Sequence, residues 1–261
     1  MKIIVLGKTG MLGSTVYKHF LNCNYNVYSS TRSPKLEQNE FYLDAQNKLI
    51  ELPKADYVIN CIGCIKQKDY SLDEYKKINV EFPHKLADVC QSNDIKLIHV
   101  STDCVFSGAR GNYSEIDKPD ATDLYGVSKF LGEPRNCMVL RSSIIGDEIQ
   151  SSYSLLSWTK SQRNQKVLGY KNHFWNGLTA AEFAKSCEKI IQKNLFSAKK
   201  FHVFSNKVSK FEMLQAFNEK FKLNLEIQPF ETELVNKTLS TVYNLNLELQ
   251  NKSFQEMIDN L

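Results

Sequence analysis

Short apolar runs alternate with amphipathic segments through the first 145 residues of the chain. The runs are rich in Ile, Val and Leu, which predicts buried strands. They fall at 2–6, 26–30, 56–63, 95–100 and 138–140. The clearest helix begins at Ser71, where Ser71 and Glu74 form a capping pair ahead of an apolar stripe. Asn79 within this helix is interpreted as an exposed polar residue near a kink at Pro83.

The first strand runs directly into a glycine-rich turn and an amphipathic helix that extends to about residue 20. Glycine occupies every third position of this turn, at Gly7, Gly10 and Gly13. Such spacing between a strand and a helix lets the backbone approach a pyrophosphate, whose charge then lies at the helix N terminus. A dinucleotide site is therefore predicted, with a glycine turn that binds nothing as the alternative. The candidate contacts are Gly7, Thr9, Gly10, Met11, Leu12 and Gly13.

Three later segments supply further candidate contacts to this cofactor. Arg32 follows the second strand, where an NAD site usually has an acid, and it suits a 2′-phosphate. NADPH is therefore the predicted cofactor, and a solvated loop arginine is the alternative. Asp44 is a candidate acceptor for the adenine amino group, or equally a turn carboxylate. Cys61, Ile62 and Gly63 end a buried strand with small residues where a cofactor can pass.

Taken together, these elements predict an α/β fold with a Rossmann-type doubly wound parallel sheet. Beyond residue 145 the alternation becomes irregular, although capped helices are predicted from Thr179 and Ser209. We therefore predict an NADP-binding Rossmann domain at 1–145 and a smaller, mainly substrate-binding domain at 146–261. About 178–205 of the second part is expected to return to the first domain.

Tyr125 and Lys129 stand four residues apart on a predicted helix, so their side chains share one face. A fixed ammonium beside a phenol favours the phenolate, which predicts a proton donor whose pKa is lowered toward working pH. Thr102, at the end of the preceding strand, is placed to share the same substrate oxygen. A tyrosine and a lysine on a solvated helix face are the alternative interpretation.

Composition excludes several classes of function. The chain has 261 residues, a net charge of +4 that is scattered, and no apolar run that approaches the ~18 residues of a membrane span. We therefore expect neither nucleic-acid nor membrane binding, and a cytoplasmic location. Seven cysteines, an odd number, fit a reducing compartment. Cys61 and Cys64 lack a second ligand pair, so no metal site is predicted.

Several motifs occur together in the first 180 residues. They are Gly7-x-x-Gly10-x-x-Gly13, Ser101-Thr102-Asp103-x-Val105-Phe106-x-Gly108, Tyr125-Gly126-x-x-Lys129-x-x-Gly132-Glu133, Leu140-Arg141-Ser142-Ser143, Gly146-Asp147-Glu148 and Gly169-Tyr170-x-Asn172-x-x-Trp175-Asn176-Gly177-Leu178-Thr179. This combination resembles the extended short-chain dehydrogenases/reductases, and within them the dTDP-4-dehydrorhamnose reductase group. Lys8 departs from the family pattern, which has a small residue there.

The resemblance implies a function and assigns roles to residues. It implies that Thr102, Tyr125 and Lys129 are catalytic and that Tyr125 and Lys129 also contact the cofactor, Lys129 at the nicotinamide ribose. The substrate contacts are expected to be Asp103, Val105, Trp175 and Asn176. The implied reaction is NADPH-dependent reduction of the 4-keto group of a nucleotide-linked 4-keto-6-deoxy sugar, which supplies precursors for polysaccharide synthesis. The oligomeric state is open, with a homodimer as one candidate.

Three other functions were weighed against this reductase. A related 4,6-dehydratase normally carries Asp-Glu after the catalytic threonine, whereas Cys104 follows Asp103 here, so dehydration is disfavoured. A sugar-nucleotide 4-epimerase that retains NAD is the second choice, and Arg32 argues against it. A non-catalytic, NADP-binding regulatory subunit is the alternative from another class. The intact set of Thr102, Tyr125 and Lys129 favours an enzyme.

Overall fold

The computed structural model describes residues 1–47, 49–147 and 154–261, so Glu148 of the motif set lies outside the described residues. The strands are β1 Lys2–Leu6, β2 Asn26–Thr31, β3 Glu40–Tyr42, β4 Tyr57–Asn60, β5 Lys96–Thr102, β6 Met138–Ser142, β7 Ile144–Ile145, β8 Lys166–Tyr170, β9 His173–Trp175, β10 Leu178–Thr179, β11 Lys200–His202, β12 Val208–Ser209, β13 Glu226–Phe230 and β14 Val235–Asn236. The helices are α1 Met11–Asn22, α2 Leu72–Glu74, α3 Phe82–Ser92, α4 Leu124–Leu131, α5 Leu155–Ser161, α6 Ala180–Gln192, α7 Lys210–Phe221, α8 Leu245–Leu249 and α9 Phe254–Asp259. None of these helices has the length and apolar character that a bilayer span requires.

Seven of the strands form one parallel sheet, in the order β11-β6-β5-β4-β1-β2-β3. Side chains of a strand alternate between the two faces, so each face has its own core. Ile3 and Val5 pack on the side of α1 and α6, whereas Ile4 and Leu6 pack on the side of α3. The predicted doubly wound α/β fold is confirmed. The chain order reverses between β1 and β4, which opens a crevice at their carboxyl ends.

The C-terminal part of the chain contributes both to this sheet and to a second region. β11 pairs in parallel with β6, and α6 packs on the same core face as α1. Outside the large sheet, β8 pairs with β13, and β9 lies between β12 and β14. A bridge between Tyr113 and Leu239 joins the second region to the segment that follows β5. The boundary at residue 145 between two functional domains stays a prediction.

The helix that begins at Ser71 differs from its predicted form. Its capping box is present, but a π-helical segment, Tyr75–Glu81, separates α2 from α3, and Pro83 lies in the first turn of α3. A π segment inserts an extra residue in a turn, which rotates the side chains that follow. Asn79 is consequently 1% exposed, so the prediction of an exposed polar residue is wrong. Gly132 allows this close packing, because a Cβ atom there would lie 1.7 Å from the Asn79 carbonyl oxygen.

A buried ion pair joins the end of α4 to the sheet. Arg141 on β6 donates from Nε and Nη2 to the two oxygens of Glu133, each at 2.7 Å, and both side chains are 1% exposed. Ser101 on β5 donates to Glu133 Oε1 at 2.7 Å. Arg141 Nη1 also lies 3.3 Å from His202 Nε2 on β11. The pair therefore fixes α4 against three adjacent strands.

Removing one member of this pair should be more harmful than removing both. Arg141→Met leaves the Glu133 carboxylate buried without its bidentate partner, which should lower the free energy of unfolding by about 3–5 kcal/mol. The double variant Arg141→Met/Glu133→Leu removes both charges and should recover part of that loss. Urea denaturation of the three proteins measures the difference. A double variant less stable than the single one would contradict this account, because it would show that the Glu133 carboxylate stabilises the fold even without Arg141.

Candidate active site

The turn between β1 and α1 forms a backbone cradle. Gly7 has φ +85°, and a Cβ atom on Gly13 would lie 2.0 Å from the Gly7 carbonyl oxygen. On its other side, Gly7 packs within 3.1 Å of the Cys61 backbone, measured from a Cβ atom built on Gly7. The N-cap residue Gly10 has extended backbone and no side-chain cap, so the first amides of α1 are available to an anion. Thr9, Met11 and Leu12 lie in this turn and at the start of the helix.

The other predicted cofactor residues lie at the same edge of the sheet. Arg32 is exposed directly after β2. Gly63 approaches the catalytic region, since a Cβ atom there would lie 3.7 Å from Lys129 Nζ. Asp44 accepts a hydrogen bond from the Gln46 amide at 3.0 Å, which is the turn arrangement weighed as its alternative. Ile62 lies beside Gly63 and donates its amide to Asn60 Oδ1 at 3.1 Å.

Lys8, the residue that departs from the family pattern, forms ion pairs with acidic side chains in and next to β3. Its ammonium pairs with the Glu40 carboxylate, whose side chain is 5% exposed, and lies 3.8 Å from Glu37. The pairing lowers the pKa of Glu40. Since Glu40 stands opposite Ser29 in the register of β2 and β3, Lys8 neutralises an acid close to the end of β2. Arg32 is left as a cation at that edge.

Thr102, Tyr125 and Lys129 come together where β5 meets α4. Thr102 ends β5 and donates to Asp103 Oδ1 at 3.1 Å. The first turn of α4 packs closely against the turn that follows β5. A Cβ atom on Gly126 would lie 2.2 Å from the Cys104 carbonyl oxygen. This packing holds Tyr125, at the start of α4, close to the chain segment that follows Thr102. Lys129 is buried, and its ammonium donates to the Val100 carbonyl at 2.8 Å.

Burial is the largest influence on the pKa values of Tyr125 and Lys129. It raises the pKa of Tyr125 above its usual range, and the hydrogen bond with Thr102 acts in the opposite direction. Burial also lowers the pKa of Lys129 to about 8, against the attraction of the Glu133 carboxylate. The predicted lowering of the phenol's pKa by Lys129 is not observed, because the ammonium is directed at the Val100 carbonyl. Tyr125 therefore keeps its transferable proton at neutral pH.

Asn79 is a site residue that the sequence interpretation missed. Its Oδ1 accepts from the Cys64 amide at 2.7 Å, and its Nδ2 donates to the Cys64 carbonyl at 3.2 Å and to Ser128 Oγ at 3.0 Å. The amide thus joins the loop after β4 to α4, one residue before Lys129. The sequence did contain a signal. Asn79 stands four residues after Tyr75 and three before Phe82, on the apolar stripe itself.

The four predicted substrate contacts have different surroundings. Asp103 lies beside Thr102 and is 5% exposed, and burial raises its pKa. Val105 is fully buried in a small apolar cluster, and Trp175 is 4% exposed and packs edge-to-face on Phe254.

Asn176 forms two hydrogen bonds with the backbone of Leu239, which use both the oxygen and the nitrogen of its amide. The geometry therefore favours structural roles for Val105, Trp175 and Asn176, and their contact with a substrate stays a prediction.

Comparison with known proteins places the chain in a family. The model of the RmlD substrate binding domain matches residues 1–257. The chain belongs to this family. The resemblance inferred from the motifs is thus confirmed.

Individual relatives within and around the family carry different names. Methionine adenosyltransferase 2 subunit beta of Rattus norvegicus is 26% identical over 243 residues, which cover 85% of this chain and 72% of that protein. A probable low-salt glycan biosynthesis reductase, Agl14 of Haloferax volcanii, is 32% identical over 147 residues, 51% of this chain and 48% of that protein. The crystal structure of dTDP-4-dehydrorhamnose reductase from Bacillus anthracis in complex with NADP has the same fold, with a TM-score of 0.79 at 20% identity over 99% of this chain and 97% of that one.

Two lysines that the sequence interpretation did not select lie in the C-terminal part of this family member and act electrostatically on Asp103. The Lys237 side chain packs on Gly108, where a Cβ atom would lie 2.9 Å from its Cγ. Lys237 and then Lys210 oppose the effect of burial on the pKa of Asp103. Among the described residues, neither ammonium forms an ion pair within 4.0 Å. Positive charge is therefore available beside the reacting groups.

The burial of Lys129 predicts a pH-dependent contribution to stability. Its pKa is about 8 in the folded protein and 10.5 for an ordinary lysine, so between these values the unfolded chain binds more protons and stability rises with pH. Lys129→Met removes this titration. We expect the free energy of unfolding of the variant, relative to the wild type, to be highest below pH 8 and to fall by up to about 3 kcal/mol toward pH 10.5.

Urea denaturation of both proteins across this pH range measures the change. Groups that do not interact with Lys129 are present in both proteins and cancel in the difference. The thiols of Cys61 and Cys64 do interact with Lys129, but burial raises their pKa values to about 12 and about 11, so in the folded protein they stay protonated through most of this range. A difference that does not vary with pH would contradict the assignment of the shift to Lys129.

Proposed function

We propose that the protein is an NADPH-dependent reductase that acts on the 4-keto group of a nucleotide-linked 4-keto-6-deoxy sugar. The observation that carries this proposal is the packing of α4, with Tyr125 at its start and Lys129 held on the Val100 carbonyl, against the end of β5 at Thr102 and close to Gly63 beside the glycine cradle. Precursor synthesis for polysaccharides or glycans is the corresponding cellular role. The name of the Haloferax volcanii relative supports this class of reaction.

The residues of the cradle fit a dinucleotide. The absence of side chains at Gly7 and Gly13 leaves the backbone open to a pyrophosphate at the start of α1, where the helix dipole favours negative charge. Arg32 is placed for the 2′-phosphate, and the pairing of Lys8 with Glu40 removes an acid that would oppose it. When bound, NADPH supplies the hydride. The complex of the Bacillus anthracis reductase with NADP supports this choice.

The protein's own groups orient the sugar and move one proton. As the carbonyl oxygen gains negative charge, Tyr125 gives it the hydroxyl proton, and Thr102 holds the same oxygen by a hydrogen bond. Lys129, anchored on Val100, keeps a cation near that oxygen. Asn79 holds the loop after β4 in its place beside Lys129. The protein contributes to the reaction mainly by positioning these groups, because Tyr125 carries its proton at neutral pH without help from Lys129.

Lys210 and Lys237 give the substrate side of the site its charge. The diphosphate of a nucleotide-linked sugar carries negative charge, which two ammonium groups without an ion-pair partner among the described residues can attract. Asp103, buried beside Thr102, offers an oxygen to a sugar hydroxyl. We therefore assign sugar binding mainly to Lys210, Lys237 and Asp103. The motifs had assigned it to Val105, Trp175 and Asn176 as well as to Asp103.

A second candidate is an NADP-binding subunit that modulates another enzyme. It is favoured by the match to methionine adenosyltransferase 2 subunit beta across 85% of this chain. The arrangement of Thr102, Tyr125 and Lys129 favours the reductase, because a binding subunit does not need a proton donor. A 4-epimerase with retained NAD ranks below both, since Arg32 and the Lys8–Glu40 pair suit a phosphorylated cofactor.

The Tyr125→Phe variant tests the reductase mechanism. It keeps the ring and deletes the proton donor, so NADPH binding should survive while kcat falls by about 10²- to 10⁴-fold. Thr102→Val should reduce kcat less, because Tyr125 still serves the oxygen. NADPH oxidation with a panel of dTDP-, UDP- and GDP-linked 4-keto-6-deoxy sugars measures both. Near wild-type turnover in Tyr125→Phe would refute the mechanism, and a wild-type protein inactive on the whole panel would favour the subunit.

The Arg32→Ala variant tests the choice of cofactor. It removes a charge-assisted contact worth about 1.5–3 kcal/mol, so NADPH affinity should fall roughly 10- to 150-fold while NADH affinity changes little. Arg135→Ala, which removes an exposed arginine outside the site, is the matched control. Fluorescence titration of the three proteins with each nucleotide gives the dissociation constants. Equal losses for NADPH and NADH would show that Arg32 does not contact the 2′-phosphate.

A further inference from the structure

We propose that His19, Cys23 and Glu188 form a binding site for zinc or a similar borderline-soft divalent cation, and that the bound ion joins α1 to α6. One possible ligand atom from each residue, an imidazole nitrogen, a thiol sulfur and a carboxylate oxygen, lies within 4.8 Å of the other two. This mixture of nitrogen, sulfur and oxygen is the set that zinc accepts. The cluster is separate from the proposed catalytic groups.

The fold holds two of these residues in a fixed relation. His19 and Cys23 stand four residues apart at the C-terminal end of α1, so they share one face of the helix. The Cys23 amide donates to the His19 carbonyl at 3.0 Å, which fixes their backbones. Glu188 comes from α6, and the two helices pack through one apolar core that includes Phe20. The three side chains therefore meet on a rigid surface.

The sulfur–nitrogen distance is close to that of a tetrahedral zinc centre, whereas the nitrogen–oxygen distance is that of a hydrogen bond. Zinc bond lengths place a bound sulfur and nitrogen roughly 3.6 Å apart, and a bound nitrogen and oxygen roughly 3.4 Å apart. In this structure Cys23 Sγ lies 3.9 Å from His19 Nε2, and Glu188 Oε2 lies 2.7 Å from the same nitrogen. Binding would replace the hydrogen bond between His19 and Glu188 and would require their ligand atoms to separate by roughly 0.7 Å. Three protein ligands leave the fourth position to water.

The surroundings of the cluster favour a ligand role. Gln192 Nε2 donates to Glu188 Oε1 at 3.0 Å, which orients the carboxylate and directs Oε2 to His19. Cys23 is the exposed cysteine of the seven, whereas the other six are buried or partly buried. In the described part of the chain, no lysine or arginine lies within 4.0 Å of Glu188 to compete with a cation. The alternative is a simple ion pair between His19 and Glu188.

The position of the site indicates a structural ion. α1 has twelve residues and is roughly 18 Å long, and the cluster lies at the end opposite the glycine cradle. A bound ion would link the C-terminal end of α1 to α6 and would contact none of the proposed catalytic residues. It should raise thermal stability and leave the turnover number unchanged. This inference does not depend on the proposed reductase activity.

Cobalt(II) substitution tests the site on full-length, tag-free protein. A Cys23–cobalt bond should give a thiolate-to-cobalt charge-transfer band that saturates at one equivalent, with visible bands typical of four-coordinate cobalt. Cys23→Ser should abolish the charge-transfer band, and His19→Gln and Glu188→Gln should weaken binding at least tenfold. His84→Gln, a histidine outside the cluster, is the matched control and should behave as the wild type.

Zinc titration provides a second measurement on the same proteins. Zinc should raise the Tm of the wild type and of His84→Gln, and should leave that of Cys23→Ser unchanged. Each variant is compared with and without zinc, so loss of the His19–Glu188 pair does not confuse the result. Three outcomes would overturn the proposal: no charge-transfer band in the wild type, a band that survives in Cys23→Ser, or cobalt affinity that is indifferent to both His19 and Glu188.

Discussion

The buried carboxylate of Glu133 is the constraint on which the arrangement of Thr102, Tyr125 and Lys129 depends. A charge with 1% of its side chain exposed requires full pairing, and Arg141 and Ser101 provide it from adjacent strands. Ser101 precedes Thr102, and Glu133 follows Lys129 by four residues, so the pairing sets the position of the two elements that carry the proposed catalytic residues. The same carboxylate raises the pKa of Lys129 and so opposes the effect of burial. One ionic contact thus links stability to the electrostatics of the site.

A second constraint is the close packing of backbone against backbone. Gly126 and Gly132 place α4 against the turn after β5 and against the π-helical segment, at distances that exclude a Cβ atom. Asn79 then reaches the loop after β4 and Ser128 with a single amide. A neutral side chain is suited to this place, because burying it requires only that its hydrogen bonds be made. These contacts fix the backbone of Cys64 and Ser128 beside Lys129.

Burial shifts the pKa values of Tyr125 and Lys129 in opposite directions. It disfavours the charged forms of both Tyr125 and Lys129, so the phenol stays protonated and the ammonium becomes easier to deprotonate. A proton donor of this kind relies on orientation toward the developing charge on the substrate oxygen. In the proposed mechanism, Thr102 and the lysines that act on Asp103 add to that orientation.

The sequence by itself determined the fold class, because the periodic apolar pattern, the helix caps and the glycine spacing are local properties of the chain. It also selected Thr102, Tyr125 and Lys129, since strand ends and helix spacing bring such residues to one edge of a parallel sheet. The tertiary structure alone decided the role of Asn79, which depends on a π-helical rotation, and the burial of Val105, Trp175 and Asn176. It also decided the direction of the Tyr125 pKa and the meeting of His19, Cys23 and Glu188. These features arise from contacts between segments far apart in the chain, whose distances and desolvation no local pattern specifies.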